Sequence, residues 1–311
     1  MANTTPRLSA AEVKALFDKL SNWGRWGKDD ERGALNFITA QKRAAAGRLV
    51  QSGETVSMAL PLATTSGPDN PTPVTHVMLH SGPGLAAAMD YFAIAPHGMA
   101  FTHLDALCHV FWERKMYNGF SSSEVGRWGT RKCGIEVARD GIVSRGVLLD
   151  IARLKHADTN VEWMEPGERV FPEDLDAAER AHRVRVEEGD VLLIRTGRMA
   201  RRDKLGAWDS RNEGMAGLDP SCLPWLHERR VAVLGCDGVS DVLPTGYGNE
   251  LIFPIHVGTL VAMGVHLIDN ADLEALGAAC ARNARYEFMF TMLPLILEHG
   301  TASPVNPVAI F

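Results

Sequence analysis

The chain has 311 residues, of which 46% are hydrophobic and 23% charged, with a formal net charge of −6. That balance suits a folded protein with a large core and excludes a disordered chain, and the acidic excess argues against nucleic acid or anionic lipid as a partner. Five cysteines, odd in number and without a CxxC pair, exclude a disulfide scaffold or a thiolate zinc cluster. Met1 to Lys14 lacks the basic-then-apolar layout of an export signal, and no window approaches about eighteen uninterrupted apolar residues. A cytoplasmic enzyme with no membrane segment is the expectation. The short basic clusters at Arg198, Arg201, Arg202 and at Arg229, Arg230 have acids nearby and read as solvated faces.

Along the chain, Val13, Leu16, Phe17 and Leu20 recur at helical spacing behind Ser9, which predicts a capped helix over 9–20. Residues 23–37, rich in Gly and Trp and without a period, read as a long loop, and Thr39 caps a short helix to Leu49. Strands are predicted at 55–60, 76–79 and 91–95, with an irregular Thr/Ser/Gly/Pro excursion over 64–73. A helix is expected to open near Ala106. Further on, 147–151, 191–195 and 231–234 read as buried strands, 174–183 as a helix, and Gly197 as the start of a loop carrying Trp208. Asp219 and Pro220 open a helix through Leu226, 256–266 and the stretch from Leu273 read as helices, and 288–297 as a closing strand. No repeat or composition shift marks a border, so the economical reading is one α/β domain with a mixed sheet.

The densest chemistry lies at Thr102-His103-Leu104-Asp105-Ala106-Leu107-Cys108-His109, preceded by Ala95-Pro96-His97-Gly98. Between His97 and His109 fall three imidazoles and one carboxylate, groups that hold a metal or move a proton. In an extended segment His103 and Asp105 point to the same side, and a helix beginning at Asp105 would carry His109 one turn further on that face. Such N and O ligands suit zinc or manganese, with the Thr102 hydroxyl orienting Asp105 or a water. The alternative is a structural His103–Asp105 pair with His109 merely lining a helix. Gly235 to Asp241 follows a buried strand, and two readings stand: Asp237 or Asp241 positions substrate or a loop, or Asp-Gly makes a tight turn with Ser240 capping. Cys108 and Cys236 have no activating partner in sequence, and no nucleophile-elbow motif is present.

The segment Thr102 to His109 resembles the core of the signature of the cyclase family of metal-dependent hydrolases, a group that includes bacterial kynurenine formamidase and isatin hydrolase. Residues 251–276, with His256, Gly264, Asp269, Asn270 and Leu273, resemble that family's C-terminal block. The resemblance implies a swivelling β/β/α fold with a mixed or barrel-like sheet and flanking helices, in which 1–50 form an N-terminal helical and loop extension and 51–311 one compact catalytic domain. It implies His103 and Asp105 as ligands of a divalent metal, Zn or Mn, and His109 as the proton-transfer residue beside the substrate. His256 and Asp269 fall near the positions that complete the site in formamidases. The family's leading histidine aligns with Met99, whose thioether is a poor ligand for these metals, and His97 is the replacement two residues earlier.

The implied reaction is hydrolysis of an amide, formamide or cyclic imide or lactam C–N bond by metal-activated water. The alternatives are a lactone hydrolase or dehydratase using the same parts, and a non-catalytic small-molecule binder on the same fold. Phe111, Trp112, Trp23 and Trp26 are candidates to line a pocket for a cyclic or aromatic substrate, and the family suggests a homodimer or higher homo-oligomer.

Overall fold

The computed structural model describes residues 5–159 and 161–311; the first four residues of the N-terminal stretch read above lie outside them. Helix α1, Ala10–Lys19, begins with a reciprocal capping box in which Ser9 accepts from the Glu12 amide and Glu12 accepts from the Ser9 amide, and it buries Val13 and Phe17. Helix α2, Ala40–Gly47, is capped by Thr39 through the Lys42 amide. Between them the chain is irregular except for one 3-10 turn, Gly33–Phe37. There the Ala34 amide donates to the Gly264 carbonyl at 2.7 Å. Gly33 (φ +56°) and Gly264 (φ +68°) meet backbone to backbone, an approach that a Cβ on either would block.

Strand β1 is Thr55–Ser57, shorter than predicted because Met58 and Leu60 turn away to bond Pro307 and Thr102. A hairpin follows, β2 (Thr75–His80) with β3 (Met89–Ala93), and then β4, His103–Asp105. No helix opens at Ala106. The Ala106 amide is taken by the Thr301 carbonyl and the His109 amide closes back on Ala106, so the segment is a turn tied to 300–301. The helical argument for the position of His109 is therefore replaced by a turn.

The remaining sheet strands are β5 (Ile142–Asp150), β6 (Val191–Arg195), β7 (Val233–Cys236), β8 (His266–Asp269), β9 (Glu287–Met292), β10 (Ala302–Pro304) and β11 (Val308–Ile310). They form one nine-stranded mixed sheet in the order β1-β11-β9-β5-β6-β7-β8-β4-β10. Its centre, β5 to β8, is parallel, and these strands are almost wholly buried runs of Val, Leu and Ile, as expected for a sheet covered on both faces. The flanks are antiparallel, and the sheet curls into a half-barrel with helices around it, a single α/β domain. The predicted closing strand stops at Met292 because β9 is interior, bonded to β5 and β11, and two further strands complete the sheet.

Helices α3 (Pro172–His182), α4 (Arg198–Leu205), α5 (Ser210–Glu213), α6 (Leu223–Glu228) and α7 (Glu274–Asn283) connect or cover these strands. Helix α4 occupies the start of what the sequence presents as a loop after Gly197. The predicted helix at 256–266 is a short turn, Pro254–His256, running into a π-helical stretch, Val257–Met263; Gly264 then reverses the chain into β8. Two orientations matter for chemistry. Parallel strands β6, β7 and β8 present their C-terminal ends along one edge of the sheet, and antiparallel β4 starts there, with His103 opposite Asp269 and Asp105 opposite Leu267.

Candidate metal centre and its cavity

Residues directly opposite in an antiparallel pair share a face, so β4 and β8 bring His103, Asp105 and Asp269 to one side at that edge. His97, in the loop after β3, and His256, entering the π-helical stretch, close over them. Two groups of donors result, His97 with His103 and Asp105, and Asp105 with His256 and Asp269, each with its ligand atoms within 4.8 Å of one another. Asp105 belongs to both. His97 Nδ1 and His103 Nε2 lie 3.0 and 3.4 Å from Asp105 Oδ1, and His256 Nε2 lies 3.7 Å from Asp105 Oδ2 and 3.4 Å from Asp269 Oδ2.

These approaches are close but mostly not hydrogen bonds. His97 Nδ1, both Asp105 oxygens and Asp269 Oδ1 are buried without a hydrogen-bond partner. A fold does not ordinarily leave so many buried polar atoms facing one another unsatisfied, and a cation between them resolves the deficit. Each imidazole is also steered by a bond on its other nitrogen. His103 Nδ1 meets the Phe101 carbonyl at 2.8 Å, His256 Nδ1 meets Asp241 Oδ2 at 2.6 Å, and His97 Nε2 meets Thr301 Oγ1 at 3.0 Å. The nitrogens left over are those aimed at Asp105 and Asp269, which is how metal-binding histidines are held. The residues present thus fit a divalent cation with N and O ligands.

The electrostatics agree. Burial disfavours a charged His103 ring, yet the adjacent Asp105 carboxylate, helped by Asp269, outweighs it and lifts the ring to about 9. His256 behaves likewise: burial lowers it, but Asp269 and Asp241 hold it well above the usual imidazole range. Burial pushes Asp105 up, and the facing histidines, His103 first, bring it well below the usual carboxylate range. The cluster demands positive charge.

His109 differs. Its ring stacks on His97 with centroids 3.7 Å apart, and burial, opposed by the Asp105 charge, lowers it to about 4, so it is a neutral base near pH 7. Thr102 makes no hydrogen bond to Asp105. Its hydroxyl accepts from the Leu60 amide and donates to the Asn270 carbonyl, tying β1's continuation to the end of β8. Asp237 stands apart from the donor groups, its carboxylate accepting from the amides of Thr196, Gly197 and Arg198 and from the Thr196 hydroxyl. Burial pushes the Cys108 thiol up to about 12 and the Cys236 thiol well above its usual range, which suits neither as a nucleophile.

Arg198 overturns the reading of its basic cluster as a solvated face. It is buried, donating to the Met99 carbonyl at 2.7 Å and to Asn270 Oδ1 at 2.8 Å, while Asn270 Nδ2 donates to the Gly98 and Phe101 carbonyls. The pair clamps the backbone of the loop that delivers His97. Met99 itself packs against Met215, Val239 and Leu243, so the imidazole two residues earlier joins the donors.

A cavity of about 380 Å³ opens beside His97, walled by Met99 and Phe101 on one side and by 68–72 and 209–212 on the others. The aromatic candidates sit elsewhere. Trp23 and Trp112 line a separate cavity of about 260 Å³ with Phe17 and Val257, Trp26 packs on Phe37, and Phe111 is partly exposed. Sequence patterning gave no hint of Thr301, whose role depends on the β10 edge returning beside the His97 loop.

A model of the family described as "Putative cyclase" matches residues 45–241. The chain belongs to the cyclase family. Among solved structures, a protein described as a novel cyclase is 32% identical, with 95% of this chain and 99% of that one covered and a TM-score of 0.84. Isatin hydrolase A from Ralstonia solanacearum is 21% identical over 87% of this chain and 97% of that one, at a TM-score of 0.57. An isatin hydrolase bound to the product analogue thioisatinate is 19% identical over 88% and 99%, at 0.59. The two hydrolases share the fold. No curated protein matches the chain. The matched residues 45–241 include His97, His103, Asp105 and His109, whereas His256 and Asp269 lie beyond them.

Proposed function

We propose that this cyclase-family chain is a metal-dependent hydrolase that cleaves an amide, formamide or cyclic imide or lactam C–N bond. The observation that carries the reading is the convergence of ligand atoms from His97, His103, Asp105, His256 and Asp269, among which His97 Nδ1, both Asp105 oxygens and Asp269 Oδ1 are buried without a hydrogen-bond partner. These five residues hold one or two divalent ions, zinc or manganese by the chemistry of the donors. Such an ion supplies an acidified water and a Lewis acid for the scissile carbonyl. His109, neutral and stacked on His97, takes the proton from the attacking water and returns it to the departing nitrogen. Asp241 and Thr301 hold His256 and His97 in their orientations, and the cavity beside His97 admits a small cyclic or aromatic substrate.

The working form is a homodimer or larger, and the β2–β3 hairpin supports this: it carries Val77, Met78, Leu79, Tyr91 and Phe92 largely exposed. Five unpaired, buried cysteines favour a reducing compartment such as the cytoplasm, and among the described residues no helix is long and apolar enough to cross a membrane. The test is metal analysis of the purified protein joined to a hydrolysis screen over N-formylated aromatic amines, cyclic imides, isatin-like lactams and small lactones. Near-stoichiometric zinc or manganese, lost together with turnover in His103→Ala, is the expected result. Full turnover by protein stripped of metal overturns the reading.

A further inference from the structure

The loop that delivers His97 has little hold of its own. Among the described residues, no backbone amide or carbonyl of 94–101 bonds to another backbone group, and 98–101 line the cavity of about 380 Å³. Side chains take its carbonyls instead. Asn270 Nδ2 donates to the Gly98 carbonyl at 2.7 Å and to that of Phe101 at 3.1 Å, and Arg198 donates to that of Met99 at 2.7 Å. Three of four consecutive peptide carbonyls are thus anchored by two residues, which set the path of the chain between His97 and Thr102.

Asn270 is fixed at each of its polar groups. It follows Asp269 at the end of β8, fully buried and in the left-handed conformation (φ +55°), which asparagine tolerates. Its amide donates to the Gly238 carbonyl at 2.8 Å, its carbonyl accepts from the Thr102 hydroxyl at 2.6 Å, and its Oδ1 accepts from Arg198 at 2.8 Å. One side chain therefore ties the strand end that supplies Asp269 to the loop that supplies His97. The geometry points to Asn270 as a positioning residue, whose side-chain amide holds the loop so that His97 joins Asp105 and His103 as a donor. This rests on the metal reading for the word donor, but the placing of the His97 ring is a property of the metal-free chain. His103 keeps its own bond to the Phe101 carbonyl, so loss of the Asn270 amide falls on His97.

The test uses Asn270→Gly, which suits the left-handed backbone and removes only the side chain, and Asn270→Asp, which keeps an acceptor for Arg198 and loses the donor. In calorimetric titration of the metal-free protein with zinc, each variant weakens binding by about 10- to 100-fold. In the His97→Ala background the same Asn270→Gly change costs less than about twofold, since the residue it acts through is gone. Equal losses in both backgrounds, as a general loosening of the fold would give, or unaltered affinity in Asn270→Gly, overturn the assignment. The second readout needs no metal. His97 stacks on His109 with centroids 3.7 Å apart, so its ring-proton resonances, assigned by their absence in His97→Ala, carry the shift of that stack. Both Asn270 variants move them towards the values of an exposed imidazole, and resonances that stay in place overturn the assignment. Where Asn270→Gly does not fold, Asn270→Asp carries both arms. A wild type that takes up neither zinc nor manganese overturns the metal reading instead, and the resonances still decide for Asn270.

Discussion

Asp105 is the one side chain common to both donor groups, and neither of its buried oxygens is satisfied by a hydrogen bond. Asp105→Asn keeps the shape and removes the charge, so metal content should fall with activity, whereas His109→Ala should cut turnover by roughly 10²- to 10⁴-fold while sparing the metal, as measured by elemental analysis beside initial rates. Equal metal loss in both would show that His109 is a ligand and not a proton carrier. His266 offers a second test. It lies on β8, fully buried, both ring nitrogens lack a partner, and burial lowers it to about 3. A folded pKa depressed below the unfolded value means stability present above about pH 6.5 and lost as the pH falls towards about 3. By pH 5 the loss is on the order of 2 kcal/mol from this group, so a melting curve taken between pH 7 and 5 should flatten in His266→Phe relative to wild type. His103 and Asp105 were legible as neighbouring donors because chemistry-bearing residues crowd one short segment. Arg198 was not, since in sequence it is one of three neighbouring arginines and only tertiary packing separates it, clamped on Met99 and Asn270, from Arg202 at the surface.

At the scale of elements, legibility followed local signals. Ser9 and Thr39 cap the helices they were expected to cap, and Val191–Arg195 is a strand at the predicted residues, because each depends on a side chain or an apolar run that needs no distant partner. Helix α4 escaped notice for the converse reason. Its sequence, Arg-Met-Ala-Arg-Arg-Asp-Lys-Leu, has almost no apolar stripe, and it begins at a left-handed glycine without a side-chain cap of its own. What holds its first turn is Asp237, forty residues on, whose carboxylate gathers the free amides of Thr196, Gly197 and Arg198. The chain of support runs from Asp237 to α4, from Arg198 to the loop at Met99, and so to His97. Asp237→Asn should therefore lower stability by about 1–3 kcal/mol and also weaken metal binding, although it touches no donor atom. Denaturant melts and a metal titration check this, and a destabilised variant with unaltered metal affinity would break the link between α4 and the His97 loop.

Over the whole molecule, the order of strands explains why one edge collects the chemistry. Parallel β6, β7 and β8 end there, antiparallel β4 begins there, and the turn that follows β4 is bonded to the chain entering β10. Away from that edge the β2–β3 hairpin is the anomaly, a two-stranded sheet outside the main one with large apolar side chains exposed along both strands, Leu79 at 61% and Phe92 at 55%. An isolated hairpin is marginally stable in water, and burying such residues gains roughly 1.5–3 kcal/mol for each side chain fully removed from solvent. The homo-oligomer proposed above would cover these side chains with a second copy of the chain. Leu79→Glu with Phe92→Glu should convert the assembly to monomers in light scattering and lower the melting temperature of the hairpin-dependent transition, leaving the main sheet folded by circular dichroism. A wild type that is already monomeric at micromolar concentration would mean that the hairpin is covered by something other than its own copy.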